Sequence, residues 1–422
     1  MKKYSDYKDS GIEWLGKIPA HWNKKRLKYY GYLYGGLSGK SGSDFNNEKN
    51  TNNRKFIPFI NIANNSKVDV SNLQLVHFEE NETQNMVHKG DIFFLMSSEN
   101  FDDVGKSAVL EDDLSDVYLN SFCRGIRITN NDVDSNYLNY LLASKPLRSK
   151  LIVGANGFTR INLKTDKIKG LYVLDLPLPE QTAIANFLDQ KTQLIDDLIT
   201  KKERLIELLQ EERTAMINQA VTKGLDPNVP MKDSGIEWLG EIPEHWELKR
   251  IKHIAFLKSG DGIKSEQIIE GGDFPVFGGN GLRGYYSEYT HEGDFILIGR
   301  QGALCGNVNC ASGKFWASEH AVVVKLFSPY VLTWAKELLI SMNLNQYSIS
   351  AAQPGLSVDK IKNLIIPVPT FPEQNTMTNI FKNLNYKNIS KIKKIGKEIQ
   401  LLHEYKTSLI NEAVTGKIYV RD

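Results

Sequence analysis

The sequence predicts two copies of an α/β (α+β) domain, combined with two long helices that pair as an antiparallel coiled coil. Three observations predict it: a motif repeated at the start of each half, a second set of repeats at the end of each half, and a long proline-free stretch closing each half. They divide the chain into a first domain at 1–178, a first helix at 179–224, a second domain at 225–371, and a second helix with the C-terminus at 372–422.

The opening motif, Lys8-Asp9-Ser10-Gly11-Ile12-Glu13-Trp14-Leu15-Gly16, recurs letter for letter from Lys232 to Gly240, an offset of 224 residues. The match continues through Ile18-Pro19, His21-Trp22 and Lys25-Arg26 into Ile242-Pro243, His245-Trp246 and Lys249-Arg250. Such repetition gives His21 and His245 a structural role at each domain's start rather than a catalytic one. Later in each half, Asp166-Lys167-Ile168-Lys169 returns from Asp359, Pro179-Glu180-Gln181 from Pro372, and Ala220-Val221-Thr222 from Ala413, now at an offset of 193. Since 224 less 193 is 31, the first half carries 31 more residues upstream of Asp166. Between the matching ends the halves share almost no sequence.

The two middles contain short apolar runs that read as strands, at 56–60, 91–96 and 125–128 in the first and at 274–277, 294–298 and 321–324 in the second. Helical runs follow at 136–143 and 331–342. The glycine-bearing loops after the strands hold the candidate DNA contacts. In the first middle these are Asn61, Ser97, Ser98, Lys106, Arg124 and Arg160. In the second they are Arg283, Tyr285, Tyr286, Arg300, Gln301, Lys314, Trp316 and Gln353. Arginine suits guanine edges, Asn and Gln suit adenine, and Lys and Tyr reach phosphates. For any one of them an ordinary exposed loop position is the simpler reading; the clusters carry the argument. Arg160 and Gln353 occupy equivalent places at the offset of 193.

Pro179 and Pro372 open the long helices, each followed by an acid that favours the positive end of the dipole. Gly224 and Gly416 are the expected C-caps. A heptad stripe runs through Leu188, Ile195, Ile199, Ile206, Leu209, Met216 and Ala220, and again through Phe381, Asn388, Ile392, Ile399, Leu402, Leu409 and Ala413. Each helix would be roughly 60–70 Å long. Pairing with each other through a pseudo-twofold would bury both stripes; packing on their own domains is the alternative. Leu194, Leu198, Leu205 and Leu208 form a neighbouring face of the first helix, a candidate subunit-docking surface.

Composition narrows the function classes. Among 422 residues, 41% are hydrophobic and 24% charged, the balance of a soluble globular chain. No apolar run suggests a signal peptide or a membrane span. Three cysteines make no disulfide framework and suit a reducing cytosol. A net charge of +2 does not announce a nucleic-acid binder, so DNA contact would come from local clusters or be shared with a partner. The stretch from Gly35 to Ser41 imitates a phosphate loop but has Tyr34 where the first glycine belongs, and Gly105-Lys106-Ser107 has Asn100 there. Phe277-Gly278-Gly279-Asn280-Gly281 resembles a methyl-donor loop without its Pro-Pro-aromatic companion. Cys305, Cys310 and His320 are the nearest approach to metal ligands, and buried thiols fit the spacing better. The residues contain no catalytic or metal constellation.

The repeated Ser-Gly-Ile-Glu-Trp-Leu-Gly-x-Ile-Pro-x-His-Trp, the Pro-Glu-Gln at each long helix and the two-unit order resemble the specificity subunit of type I restriction–modification systems, over essentially the whole chain. The resemblance implies that each target-recognition domain reads one half of a split, asymmetric site in double-stranded DNA. It implies helices that set the spacer and dock two methyltransferase subunits, which carry the S-adenosylmethionine chemistry. Separate restriction (motor) subunits, with ATP and Mg, would cleave DNA. The chain itself would hold no cofactor, catalyse nothing and be cytoplasmic. The rival reading is an independent DNA-binding regulator.

Overall fold

The computed structural model describes residues 2–420 apart from 14, 46–51, 154, 157–159, 303 and 349–354. The chain forms two compact units, residues 1–201 with 397–422, and residues 202–396. Each long helix therefore contributes one part to each unit.

In the first unit the opening segment folds as a hairpin, Tyr7–Asp9 against Lys17–Pro19, and Asn23–Arg26 then pairs with Tyr172–Asp175 near the unit's end. A four-stranded antiparallel central sheet follows, in the order Gly31–Gly35, Cys123–Ile128, Ile92–Leu95, Ser107–Val109. A second sheet has Asn53–Ile57 in the middle, parallel to Val117–Leu119 and antiparallel to Gln74–His77.

The second unit repeats this plan with different letters. Its hairpin is Met231–Asp233 with Glu241–Pro243, and Glu247–Arg250 pairs with Ile365–Val368. The central sheet runs Ala255–Ser259, Ala321–Leu326, Phe295–Gly299, Val308–Ala311, again antiparallel. In the second sheet Phe274–Gly278 lies parallel to Lys314–Ala317 and antiparallel to Gly281–Tyr286, with His291–Glu292 added at one edge.

The apolar runs in the sequence exist because each central strand separates two cores. Ile92 and Phe94 join the larger core of the first unit, while Phe93 and Leu95 face a smaller one under the second sheet. Ile296 and Ile298 alternate with Phe295 and Leu297 in the same way. A strand buried on both faces cannot show a polar alternation.

Several expectations are corrected here. The run 56–60 is not one strand: Asn53–Ile57 ends before Pro58, which caps a short helix, Phe59–Asn64. Proline has no N–H to give to a ladder but suits a helix start. The stretches 278–286 and 313–316 are not loops; a tight turn leads into the strand Gly281–Tyr286, and Lys314–Ala317 is a strand as well. Glycine richness hid them. Gly284, at φ +152°, lies where a Cβ would come within 2.7 Å of the Ile269 carbonyl oxygen, so glycine there permits close pairing rather than a loop.

The long helices span Leu178–Lys223 and Phe371–Val414. Gly224 and Gly416 follow them at φ +85° and +71°, the left-handed conformation of a helix stop. The stripe serves both packings that the sequence allowed. Leu188, Ile195 and Ile199 share the first unit's core with Leu409 and Ala413, and Asp196 pairs with Lys406 at 2.6 Å. In the second unit the helices run antiparallel: Asn388 donates to the Leu209 carbonyl at 3.1 Å and Arg213 to Asn385. Asn388 is buried, and a polar residue in an apolar seam fixes register. Met216 departs from its expected place, since it is exposed and Ile217 is buried instead. A straight helix returns to one face after about 7.2 residues, so the inner position can fall on either.

Candidate nucleic-acid interface

The repeated letters build a clasp that closes each unit. Glu180 is 2% exposed and accepts bonds from His21 Nε2 at 2.8 Å and Tyr4 Oη at 2.6 Å. Its counterpart Glu373 takes His245 Nε2 at 2.9 Å, Trp246 Nε1 at 3.2 Å and the Thr370 N–H at 2.9 Å. Although partial burial opposes it, these donors hold the Glu373 carboxyl below the usual range. Gln181 and Gln374 accept the N–H of Asp134 and of Val331, and donate to the carbonyls of Leu176 and Pro369. Trp22 and Trp246, both fully buried, pack against Gly416 and Gly224. Each opening segment is thus held by the start of one long helix and the end of the other.

At one end of the central sheet the two units share a backbone frame. In the first unit the N–H groups of Met96, Leu95, Leu163 and Gly36 reach the carbonyls of Phe122, Lys106, Met96 and Cys123. In the second, those of Arg300, Gly299, Leu356 and Gly260 reach His320, Asn307, Arg300 and Ala321. Ser97 stands opposite Asn162, as Gln301 stands opposite Gly355. Gly36 and Gly260 allow a close approach, since a Cβ would sit 2.0 Å from the Asn120 carbonyl oxygen in one unit and 2.2 Å from that of Ser318 in the other. The frame therefore equates Ser97 with Gln301, Met96 with Arg300, Phe122 with His320 and Lys106 with Asn307.

On this frame the side chains differ. In the first unit Arg160 lies over the Phe122 ring at 4.3 Å, both exposed, beside the half-buried Ser97 and Ser98. Arg124 is half-buried on the adjacent strand, its guanidinium over Gly35. In the second unit Gln301 is exposed and meets His320 Nδ1 at 3.2 Å, while Arg300 donates to Ser259 Oγ at 2.9 Å. Arg283 is exposed on its strand. Tyr286 packs edge-on against Trp316 at 5.3 Å and accepts from Gln267, and Trp316 donates to the Asp261 carbonyl. Lys314 lies over Tyr289 at 4.8 Å, and Tyr285 pairs its backbone with Ile269.

One candidate, Asn61, belongs to the scaffold instead, and a second, Lys106, is partly engaged by it. Asn61 is 1% exposed, and its amide ties the helix Phe59–Asn64 to the backbone of Asp69 and Asn72. Lys106 is held by the Ala63 carbonyl and Asp103. Gln353 lies outside the described residues. Sequence reasoning missed Phe122, His320 and Asn307, which the frame brings to the same end as the candidates. The signal that could have found them is Gly36 and Gly260, which match at the offset of 224.

Beneath the frame the units use different chemistry. Asp91 is buried and accepts from Tyr34 Oη at 2.5 Å and from Arg127 at 2.8 Å and 3.1 Å. Burial and the nearby carboxylate push the Tyr34 hydroxyl far up, and the same carboxylate raises the Arg127 guanidinium. By register, Phe295 occupies the place of Asp91 in the second unit, and it packs on Phe315 and His291. Burial lowers the His291 imidazole.

Cys123 shares the smaller core with Tyr34, and the Cys305 thiol donates to the Arg300 carbonyl at 3.4 Å. Cys123 and Cys305 are buried and Cys310 half-buried, with burial raising all three. Among the described residues no cluster of His, Cys, Asp and Glu is arranged to hold a metal, and no helix is long and apolar enough to cross a membrane.

The sequence pattern of the type I restriction modification DNA specificity domain matches residues 36–208 and 243–401, which cover both units. The chain belongs to this family. Members similar to it include the specificity subunit of the EcoprrI type I restriction enzyme of Escherichia coli, 46% identical over 130 residues, a segment covering 30% of this chain and 32% of that one. The MjaVIII specificity subunit of Methanocaldococcus jannaschii is 24% identical over 367 residues, covering 80% and 81%. The putative MjaX specificity subunit of the same organism is 25% identical over 435 aligned positions, covering 96% of each. A solved chain of a type I restriction–modification system shares the fold at a TM-score of 0.73 and 12% identity, over 95% of this chain and 99% of that one. The HsdS subunit from Thermoanaerobacter tengcongensis shares it at 0.58 and 13%, over 97% and 100%. The fold of the specificity family thus extends along nearly the whole chain, two domains and paired helices together.

Proposed function

We propose that this chain is the DNA specificity subunit of a type I restriction–modification complex, each unit reading one half of a bipartite, asymmetric site in double-stranded DNA. One observation carries the reading: a shared backbone frame at the strand ends displays different side chains in the two units. Two readers of one construction with unlike surfaces suit two unlike half-sites. Arg160 over Phe122, with Ser97, Ser98 and Arg124, would form the first reading surface. Arg283, Tyr285, Tyr286, Arg300, Gln301, Lys314 and Trp316 would form the second, with His320 beside Gln301. The helices would set the unread gap and dock two methyltransferase subunits.

Leu194 and Leu198 are exposed in the first unit, as are Leu205 and Leu208 in the second, and they are the proposed docking residues. Methyl transfer from S-adenosylmethionine and ATP- and Mg-dependent cleavage would then belong to partner subunits, and the assembly would work in the cytoplasm.

A gel shift of the chain with and without a methyltransferase subunit tests this. Specific binding that requires the subunit is the expected result. Tight specific binding by the chain alone would favour an independent regulator, and methyl transfer by the chain alone would make it an enzyme.

A further inference from the structure

The second long helix carries a charge pattern that the repeat does not explain. Residues 374–397 contain six lysines and no acid, whereas the equivalent stretch of the first helix, 181–204, contains Asp189, Asp196, Asp197 and Glu203. Five of the lysines, Lys382, Lys387, Lys391, Lys393 and Lys394, belong to the second unit and are exposed there. Among the described residues none of the five is held in an ion pair. On the neighbouring helix of that unit, Glu207 and Glu211 are engaged by Arg204.

Buried Phe381, Asn388 and Ile395 mark the inner side of the helix, so the five lysines spread across its outer half, with Tyr386 exposed among them. Lys387 and Lys391 are four residues apart, and Lys391 and Lys394 three, spacings at which like charges repel. A solvated coiled-coil surface ordinarily alternates sign at such spacings. This one keeps a single sign, and an approaching polyanion would relieve the repulsion.

We propose that this face of the second helix binds the phosphates of the unread DNA between the two half-sites, an inference that rests on the function proposed above. Lysine is suited to the task. Its ammonium is a point charge on a flexible stem, so it holds a phosphate without the fixed geometry that base reading needs. Sequence-independent affinity is what a gap of unread sequence can supply, and it reconciles DNA binding with a net charge of only +2. The first helix differs at the same places: Leu194 and Leu198 stand where the second has Lys387 and Lys391. Leucines suit a protein surface and lysines a polyanion. An acidic protein surface is the competing occupant.

The test uses the complex assembled with methyltransferase subunits and a duplex bearing the mapped site, titrated over a range of salt. Lys387→Gln, Lys391→Gln and Lys394→Gln together should weaken binding at least tenfold at low salt and reduce the salt slope by about two to three. Methylation maps should keep both half-sites. Uncharged methylphosphonate linkages across the gap should weaken the unaltered complex equally and leave the triple variant unaffected. An unchanged salt slope, or a triple variant that fails to assemble with the methyltransferase subunits in size-exclusion chromatography, overturns the proposal; the second result assigns the face to protein. Failure of the unaltered complex to prefer its site over a scrambled duplex would instead overturn the specificity reading, and it shows before any variant is measured.

Discussion

His21 meets Glu180 at 2.8 Å in one unit and His245 meets Glu373 at 2.9 Å in the other, while Ser97 of the first faces Asn162 where Gln301 of the second faces Gly355. The first pair of contacts preserves both residues and geometry. The second preserves geometry alone. The contrast separates two kinds of constraint. Where a segment must grip the ends of the long helices, particular side chains are needed. Where it displays a surface, only the backbone frame is needed, and the side chains are free to differ.

This comparison can be broken by substitution. The largest effect is expected below the frame, where Asp91 supports the first unit through Tyr34 and Arg127. Asp91→Ala removes the carboxylate that both Tyr34 and Arg127 bond, leaving Arg127 only the Met86 carbonyl, and should cost about 3–5 kcal/mol in urea unfolding. Phe295→Ala at the equivalent place should cost a similar ~3–5 kcal/mol, through a cavity instead. A small loss at either site would mean that the frame does not depend on what lies under it.

A smaller effect should follow at the clasp. Glu180→Ala should cost about 2–3 kcal/mol, because two charge-assisted bonds to a buried carboxylate vanish. Glu373→Ala should cost less, about 1–2 kcal/mol, since Glu373 is half-exposed. The folded state holds the Glu373 carboxyl below its unfolded value. Its contribution is therefore complete above about pH 4.3, the unfolded value, and is lost as pH falls through the lower folded value. Thermal melts of Glu373→Gln should accordingly differ from those of the unaltered chain at neutral pH and converge with them in acid.

The smallest effects on folding belong to the display itself. Gln301→Ala should leave the melting temperature within about 2–4 °C and weaken DNA binding by about 1–3 kcal/mol. The loss should be confined to one half-site in a binding-site selection.

How much of this was legible follows from the same division. The clasp was visible because its chemistry needs those letters: the Pro-Glu-Gln at 179–181 and 372–374 and the His-Trp pairs repeat because each touches the other. The helix caps at Gly224 and Gly416 were legible for a local reason, the positive φ that a helix stop requires. The second sheet of the second unit was legible in its strand at 274–277 but not in that strand's neighbours, because glycines at 278–284 serve strand pairing there and imitate a loop. Asn61 misled because its residue type reads bases, whereas its amide is occupied by backbone. The equivalence of Ser97 and Gln301 lies in backbone hydrogen bonds, which any side chain permits, so no letter records it.

The central claim is that the two middles read independently. It is tested by replacing residues 30–155 with the corresponding middle of another family member and mapping methylation at base resolution in cells expressing the chimera with its partners. A map in which one half-site changes while the other half-site and the gap persist is the predicted result. A map in which both half-sites change, or neither does, would contradict it.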